Sequence, residues 1–401
     1  MRQRVVVGIL VFGVVAAAGV LCVRHEMDFP VYYDAANRAA RGDPDLFQLG
    51  ATGGLAYRYA PVVALLLTPF TLLPVQVAGF VWFLLKVAAF AGTVRIARRL
   101  TGFRGVPAGK MFIVGFLLAG AYIVEDLATG NTHSLVIFGV VLACDGIARG
   151  RVAAPSVALA LAILVKLTPA IALPYLAARR EWRVLVGVVV VIAVLCALPS
   201  VVVGHETNLR WLRDWKQTAL GRIEAGPNEH DDSLKGALVR FFSASDPPPT
   251  NYPSVRLVGV PRGVVDAAWL VMSAVFLSLL LWTARDSRKT PACRVFEYPL
   301  LVVTILLVSP HNTRLYYCAL FFPYLMMAAD AWANPRRRRM LRVVLWSAFV
   351  VNTAAPALVP GRSASLAYQA AAPFVFSTLV AWLFLYLLTR TRPAEESPAT
   401  V

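Results

Sequence analysis

Eleven apolar runs follow one another from end to end of this chain. They cover residues 5–23, 60–97, 110–124, 131–148, 155–177, 182–203, 263–283, 295–309, 314–331, 340–358 and 366–388. About 20 apolar residues in a helix cross a hydrocarbon core. Inside lipid the backbone must satisfy its own hydrogen bonds, and these runs lack the alternation of strands, so they read as helices. The fold expected is an all-α polytopic membrane protein with about ten to thirteen transmembrane or re-entrant helices. Residues 5–23 read as a retained first helix, because Cys22-Val23-Arg24-His25 makes a poor cleavage site. One membrane domain is expected over 1–389, with a short tail over 390–401.

The formal charge of +17 invites a nucleic-acid reading, but its placement argues against one. With the amino terminus in the cytoplasm, the tail and the loops on that side hold 23 of the 39 lysines and arginines, among them Arg95, Arg98, Arg99, Arg149, Arg179 and the run Arg336 to Arg339. The two long loops on the other face, 24–59 and 204–262, hold 12 basic and 12 acidic residues. That asymmetry orients a membrane protein. The partner it implies is the bilayer, with no nucleic acid.

Two stretches do not fit plain spans. Residues 60–97 are too long for one helix and contain Pro61, Pro69 and Pro74. Residues 155–177 have basic residues beyond both ends. Either a re-entrant pair of half-helices breaks around Lys166-Leu167-Thr168-Pro169, or one straight helix is an exception to the charge rule.

Polar residues of unusual kind gather on the external face: Asp28, Tyr57-Arg58-Tyr59, Glu125-Asp126, Asn131, His133, Trp211, Asp231-Asp232 and the run from Ser309 to Arg314. Loops converging on one face of a helical scaffold are the usual place for a site. The cysteines and histidines show no ligand spacing, so no metal or cofactor is expected. Asp28 stands just past the first span, where a carboxylate could take a proton from a hydroxyl while an oily co-substrate lies in the bilayer. It could equally cap the helix that follows.

Several segments resemble glycosyltransferase family 87, of the GT-C class of membrane glycosyltransferases. They are DFPVYYDAANRAARGDPDLF, YRYAPVVALLLTPFTLLP, GNTHSLVIFGVVLAC, ALAILVKLTPAIALPYLAARREWR, NEHDDSLKGALVRFF and SPHNTRLYYCALFFP. They lie in order over residues 28–323. The chain departs from the family pattern at Asn131, where a glutamine is usual, at His133, and at Asp231-Asp232-Ser233, where Asn-Gln-Ser is common. The resemblance implies a GT-C-like helical bundle. It also implies transfer of a hexosyl unit, typically mannose, from a polyprenyl-phosphate sugar to a glycolipid or glycan acceptor outside the cytoplasmic membrane, with inversion.

Such a donor carries its own leaving group, so the enzyme needs a base for the acceptor and cations for the phosphate. Asp28 is the expected base. His311, Arg314, Lys166 and Arg58 are the candidates for the phosphate. Lys166 could instead snorkel or pair with Asp145, and the tyrosines beside Arg58 could belong to an interfacial belt. Glu125, Asp126, Asn131, His133 and Trp211 are candidates for the sugar or the acceptor, although Trp211 with Trp215 could face lipid. A transporter or flippase of a lipid-linked sugar would share the many helices, the broken helix and the buried lysine.

Overall fold

A computed structural model describes residues 18–20, 22–23, 28–48, 56–102, 105–224, 231–244, 253, 255–286 and 291–390. The expected first helix over 5–23 falls almost wholly outside these residues, as does the tail beyond Arg390. Among the described residues the structure is helical, with one isolated bridge between Ser243 and Val260. Six helices are long and apolar enough to cross a membrane, and five shorter apolar helices accompany them. The chain is an all-α polytopic membrane protein.

The first described helix, α1 (Phe29–Ala40), is amphipathic. Phe29, Val31, Tyr32, Ala35, Ala36 and Ala39 are buried, while Asp34 and Arg38 pair on the other face. The stretch expected to break near Pro74 does so. A short α2 (Pro61–Leu66) and a 3-10 turn (Thr68–Leu72) precede the long α3 (Val75–Thr101). Then come α4 (Ala108–Thr129), α5 (His133–Ala148) and α6 (Ala153–Val165).

At Lys166 the backbone becomes extended, with φ −149° and ψ 127°, and a 3-10 turn (Thr168–Ile171) leads into α7 (Ala172–Ala178). The sequence left open whether this region is broken or straight; it is broken. Both limbs begin and end near one another. Ser156 Oγ donates to Val184 O at the start of α8 (Trp182–Ala197), three residues beyond Glu181, which pairs with Arg179 at the end of α7. With 13 residues, α6 is only about 20 Å long, well short of a ~30 Å hydrocarbon core.

After α9 (Pro199–Val203), the long loop expected over 204–262 contains α10 (His205–Glu224) and α11 (Leu234–Phe242). Next come α12 (Arg262–Arg285), α13 (Pro291–Arg294) and α14 (Glu297–Val308), the last nearly all buried. A 3-10 segment (Arg314–Leu320) continues into α15 (Phe321–Ala333). The fold closes with α16 (Pro335–Phe349), a π turn (Val350–Ala354), α17 (Ala355–Leu358), α18 (Gly361–Ala370) and α19 (Pro373–Arg390).

Ion pairs mark one end of this bundle. Arg99 of α3 and Arg149 both reach the buried Asp145 of α5, and Arg179 reaches Glu297 at 2.9 Å. Arg337 reaches Asp330, and Arg390 reaches Asp286. The possible pairing of Lys166 with Asp145 is therefore not realised; arginines take that carboxylate. The opposite ends of α4, α5, α6, α11 and α14 converge around Asp28.

Behind that convergence lies a fully buried ion pair. Lys86 Nζ of α3 is 3.1 Å from Asp126 Oδ2 and also donates to the Asp126 carbonyl. Both side chains have zero exposure. Removing one partner of a buried pair leaves the other charge stranded, at a cost of about 3–5 kcal/mol, whereas an apolar replacement of both is often neutral. Lys86→Met should accordingly lower the melting temperature of the detergent-solubilised protein sharply. Lys86→Met with Asp126→Leu should recover most of the loss, and failure to recover would mean that the pair does more than neutralise itself.

Candidate active site

Asp28 occupies the N-cap position of α1, yet its side chain makes no capping bond to that helix. The cap is made by the backbone: Asp28 O accepts from Val31 N and Tyr32 N. The carboxylate instead accepts a hydrogen bond from Asn131 Nδ2 at 2.6 Å, and Asp28 N donates to Thr129 O at 3.0 Å. Asp28 is thus bound on both its backbone and its side chain to the turn between α4 and α5.

That turn is itself clamped. Gly130 takes φ 71°, a left-handed conformation that glycine adopts without a Cβ penalty, and so ends α4. Trp82 Nε1 donates to Gly130 O at 2.8 Å, one helical turn before Lys86 on α3. Asn131 Oδ1 accepts from Thr132 N at 2.7 Å, which leaves its amide nitrogen for Asp28. From Thr132 a hydroxyl chain continues: Tyr59 Oη lies 2.9 Å from Thr132 Oγ1 and 2.7 Å from Tyr32 Oη. Burial pushes the phenols of Tyr32 and Tyr59 above their ordinary range, so both remain protonated hydrogen-bonding groups. Tyr57 is buried as well, and its hydroxyl donates to Ala60 O. Tyr32 and Tyr57 belong to the core, and the half-buried Tyr59 packs against it.

Lys166 meets the same turn from the broken end of α6. Its Nζ is 3.1 Å from His133 Nδ1 and lies over the ring of Tyr316. The same Nζ lies 3.4 Å from His133 Nε2, so it faces the imidazole across both ring nitrogens. An aromatic face attracts a cation placed over it.

The third part comes from the far half of the chain. His311 Nδ1 lies 2.8 Å from Asp231 Oδ2. Asp231 Oδ1 accepts from Ser233 N at 2.9 Å and Asn312 N at 3.3 Å, so this carboxylate is fixed from three directions. His311 Nε2 is buried and has no hydrogen-bond partner among the described residues. Ser233 caps α11 by accepting from Gly236 N and donates to Pro310 O, which ties the two loops together. Gly236 is required by close approach, since a Cβ there would lie 2.4 Å from Asp231 O. Arg314 Nε reaches Glu125 Oε2 at 2.5 Å, joining this loop to α4 one residue before the buried Asp126.

Among the sequence candidates, Asp28, Asn131, His133, Lys166, Glu125, Arg314 and His311 therefore gather at one end of the bundle. Three others lie elsewhere or play another part. Asp126 is fully buried against Lys86 and does not present itself to a sugar. Trp211 is fully buried, with Nε1 donating to Asp43 O at 2.9 Å, so it is packed against the loop after α1. The sequence alone could not separate an amphipathic α10 that seats on the 38–48 loop from one lying on the membrane. Arg58 is exposed beside Tyr57 and Tyr59. Asn228 and His230, in the NEHDDSLKGALVRFF segment, lie outside the described residues.

Residues that the sequence reading did not select include Lys86, Tyr32, Tyr316 and Arg240, while Tyr59 and Asp231 stood there only among the polar residues of the external face. A lysine inside an apolar run was the available signal for Lys86. Arg240 Nη1 donates to Asp231 O at 2.5 Å, and its Nη2 stands 4.0 Å from Asp232 Oδ1.

Residues 57–310 match the family model described as glycosyltransferase family 87, well over half of the 401-residue chain. The chain belongs to glycosyltransferase family 87. The matched span contains the 125–133 turn, Lys166 and Asp231; His311 and Arg314 lie just beyond its end, and Asp28 lies 29 residues before its start at residue 57. Two curated relatives are each named polyprenol-phosphate-mannose-dependent α-(1-2)-phosphatidylinositol pentamannoside mannosyltransferase. The one from Mycolicibacterium smegmatis is 26% identical over 188 residues, covering 47% of this chain and 45% of the relative. The one from Mycobacterium tuberculosis is 26% identical over 233 residues, covering 58% of this chain and 50% of the relative. The chain spans about half the length of the curated relatives it matches. No solved structure matches it.

Burial pushes the Asp232 carboxyl up to about 7; Arg240 works against the rise and Asp231 adds to it. Across the window from the ordinary carboxylate range up to about 7, the folded protein holds a proton that the unfolded chain has released. Stability should therefore fall as pH rises through that window and level off above it. Melting temperatures measured from pH 4 to 9 should show this decline, and Asp232→Asn should flatten it. An unchanged slope in the variant would assign the decline to other groups.

Proposed function

We propose that this family 87 protein transfers a hexosyl unit, most consistently mannose, from a polyprenyl-phosphate sugar to a hydroxyl of a glycolipid, with Asp28 as general base. The observation that carries the reading is the carboxylate of Asp28, turned away from its own helix and held by Asn131, on the turn whose His133 meets Lys166. The two mannosyltransferase relatives, named for polyprenol-phosphate-mannose and phosphatidylinositol pentamannoside, support such a donor and a phosphatidylinositol-based class of acceptor.

In this reading the acceptor hydroxyl gives its proton to Asp28 as its oxygen attacks the anomeric carbon. The bond from that carbon to the phosphate oxygen breaks, and polyprenyl phosphate leaves with the electron pair. One displacement without a covalent intermediate inverts the anomeric centre. Charge grows on the leaving phosphate, and preorganised cations aimed at it lower the barrier. Lys166 over Tyr316 and Arg314 held by Glu125 are cations suited to that place. His311, oriented through Nδ1 by Asp231, presents Nε2 as a further donor when protonated. Asn131 fixes the base, and Glu125 is placed to share Arg314 with an incoming phosphate.

A positioned general base contributes about 100-fold to 10,000-fold to the rate. Asp28→Asn keeps the size and the backbone cap, so the purified variant should fold and bind donor normally. Its transfer from a synthetic polyprenyl-phosphate mannose should drop within that range. Turnover within a fewfold of the parent would remove Asp28 from the role of base. Complete absence of transfer by the parent with every acceptor, together with movement of the lipid-linked sugar across vesicles, would instead favour a transporter.

The same reading places the Asp28 end of the bundle on the external face of the cytoplasmic membrane. The arginine-rich end identified by its ion pairs is then cytoplasmic, in line with the charge rule. Reporter fusions near Arg104, Lys289 and Arg337 should read cytoplasmic, and a fusion near Asp43 should read external. The reverse pattern would overturn the assigned face.

A further inference from the structure

Helix α16 is built with two faces of different chemistry. Leu341, Val344 and Ala348 are buried, with exposures of 0%, 3% and 3%, and pack into the core. On the outward side Val343 and Trp346 are each 65% exposed and Val350 is 51% exposed. These three, with Arg338, Arg339 and Arg342, line a groove of about 840 Å³. It starts among arginines and runs into an apolar trough. From Arg342 to Val350 the trough extends about 12 Å along the helix axis.

The arginines of this segment are not equivalent. Arg337 is committed to Asp330, and Arg338 donates to the carbonyls of Ala331 and Trp332. Arg339 and Arg342 have neither an ion pair nor a hydrogen bond among the described residues, and both are exposed. Two uncommitted guanidinium groups at the mouth of an apolar trough, on a helix that enters the membrane, have the charge and shape of a site for a phosphate bearing an acyl chain. Basic clusters directly beside a transmembrane helix attract anionic headgroups by about 1 kcal/mol per Lys or Arg. The guanidinium fork suits a phosphate oxygen pair.

We propose that this groove binds an anionic glycerophospholipid, its phosphate held by Arg339 and Arg342 and one chain lying against Val343, Trp346 and Val350. The site lies at the arginine-rich end, opposite the convergence around Asp28, and is separate from the transfer reaction. A second copy of this chain would find the apolar part of the groove complementary but would meet like charge at its mouth, which is why lipid is the favoured occupant.

The test is lipid retention by the purified full chain in detergent. Native mass spectrometry would follow titration with dioleoyl phosphatidylglycerol or dioleoyl phosphatidylcholine. The parent should retain phosphatidylglycerol in preference to phosphatidylcholine. Arg339→Ala with Arg342→Ala should bind phosphatidylglycerol about thirtyfold more weakly, the ratio for two such contacts. Arg95→Ala with Arg183→Ala removes as much charge from exposed helix positions at the same end without touching the groove, and should change retention by less than roughly threefold. Equal retention of the two lipids by the parent would overturn the site. So would equal losses in the two double variants, which would mean diffuse surface charge. A dimer that persists without lipid and dissociates on Trp346→Ala would assign the groove to a second copy.

Discussion

The constraint on which this structure depends is that helices too short to cross a membrane must end somewhere, and their last backbone groups cannot end in hydrocarbon. Both α6 and α14 stop at about 18–20 Å by helix rise, with 13 and 12 residues respectively. The groups they release are satisfied by one another and by incoming loops. Ala60 N donates to Leu164 O, Asn312 Nδ2 donates to Leu306 O, and Asp232 N donates to Asn312 O. Non-helical backbone at membrane depth is stable only where protein or a wet cavity surrounds it. The candidate site is what that requirement produces: a polar floor inside an apolar wall.

The same requirement explains why the charges in the site come in held sets. Arg314 lies on Glu125, His311 on Asp231, and Lys166 against His133 and Tyr316. An isolated ion in such surroundings would shift its protonation or draw in water. Such sets stay exchangeable, since a phosphate can compete with Glu125 for the Arg314 guanidinium without dismantling the fold. Lys86–Asp126 is the contrast. With no exposure on either side, it cannot exchange partners, and it holds the end of α4 from which Asn131 and the Asp28 turn extend.

How much of this was legible in the sequence follows the same physics. The polytopic helical class could be read because apolar runs are long and unmistakable. The breaks at Pro74 and Lys166 could be read because proline and charge interrupt those runs locally. Asp28, Asn131, Lys166 and Arg314 stood out as polar residues beside apolar segments. Pairings could not be read, because each joins residues far apart in the chain: Asp28 with Asn131, Glu125 with Arg314, Asp231 with His311. The place of Trp211 could not be read for a related reason. A tryptophan on an amphipathic helix looks alike whether it faces lipid or a neighbouring loop, and only the tertiary position of Asp43 O decides.

The π turn at Val350–Ala354 joins the two ends of the bundle in a way that neither explains alone. A π turn inserts a residue into a helix and leaves a local mismatch in its hydrogen bonding. Here the mismatch turns Asn352 into the core, where its amide donates to Leu118 O at 3.3 Å and to Tyr324 Oη at 3.0 Å, while Tyr122 Oη donates to Asn352 Oδ1 at 2.9 Å. Tyr122 packs against Tyr317, whose hydroxyl donates to Asp232 O at 2.6 Å. A chain of buried contacts thus runs from the outward groove of α16, through the π turn, to the loop that fixes His311. From Asn352 to Asp232 the links are buried side chains, joined by hydrogen bonds and by the one ring contact of Tyr122 with Tyr317, and close packing leaves little slack to absorb a displacement. The short helices put the polar floor inside the bundle, and this buried asparagine ties that floor to the helix carrying the exposed arginines.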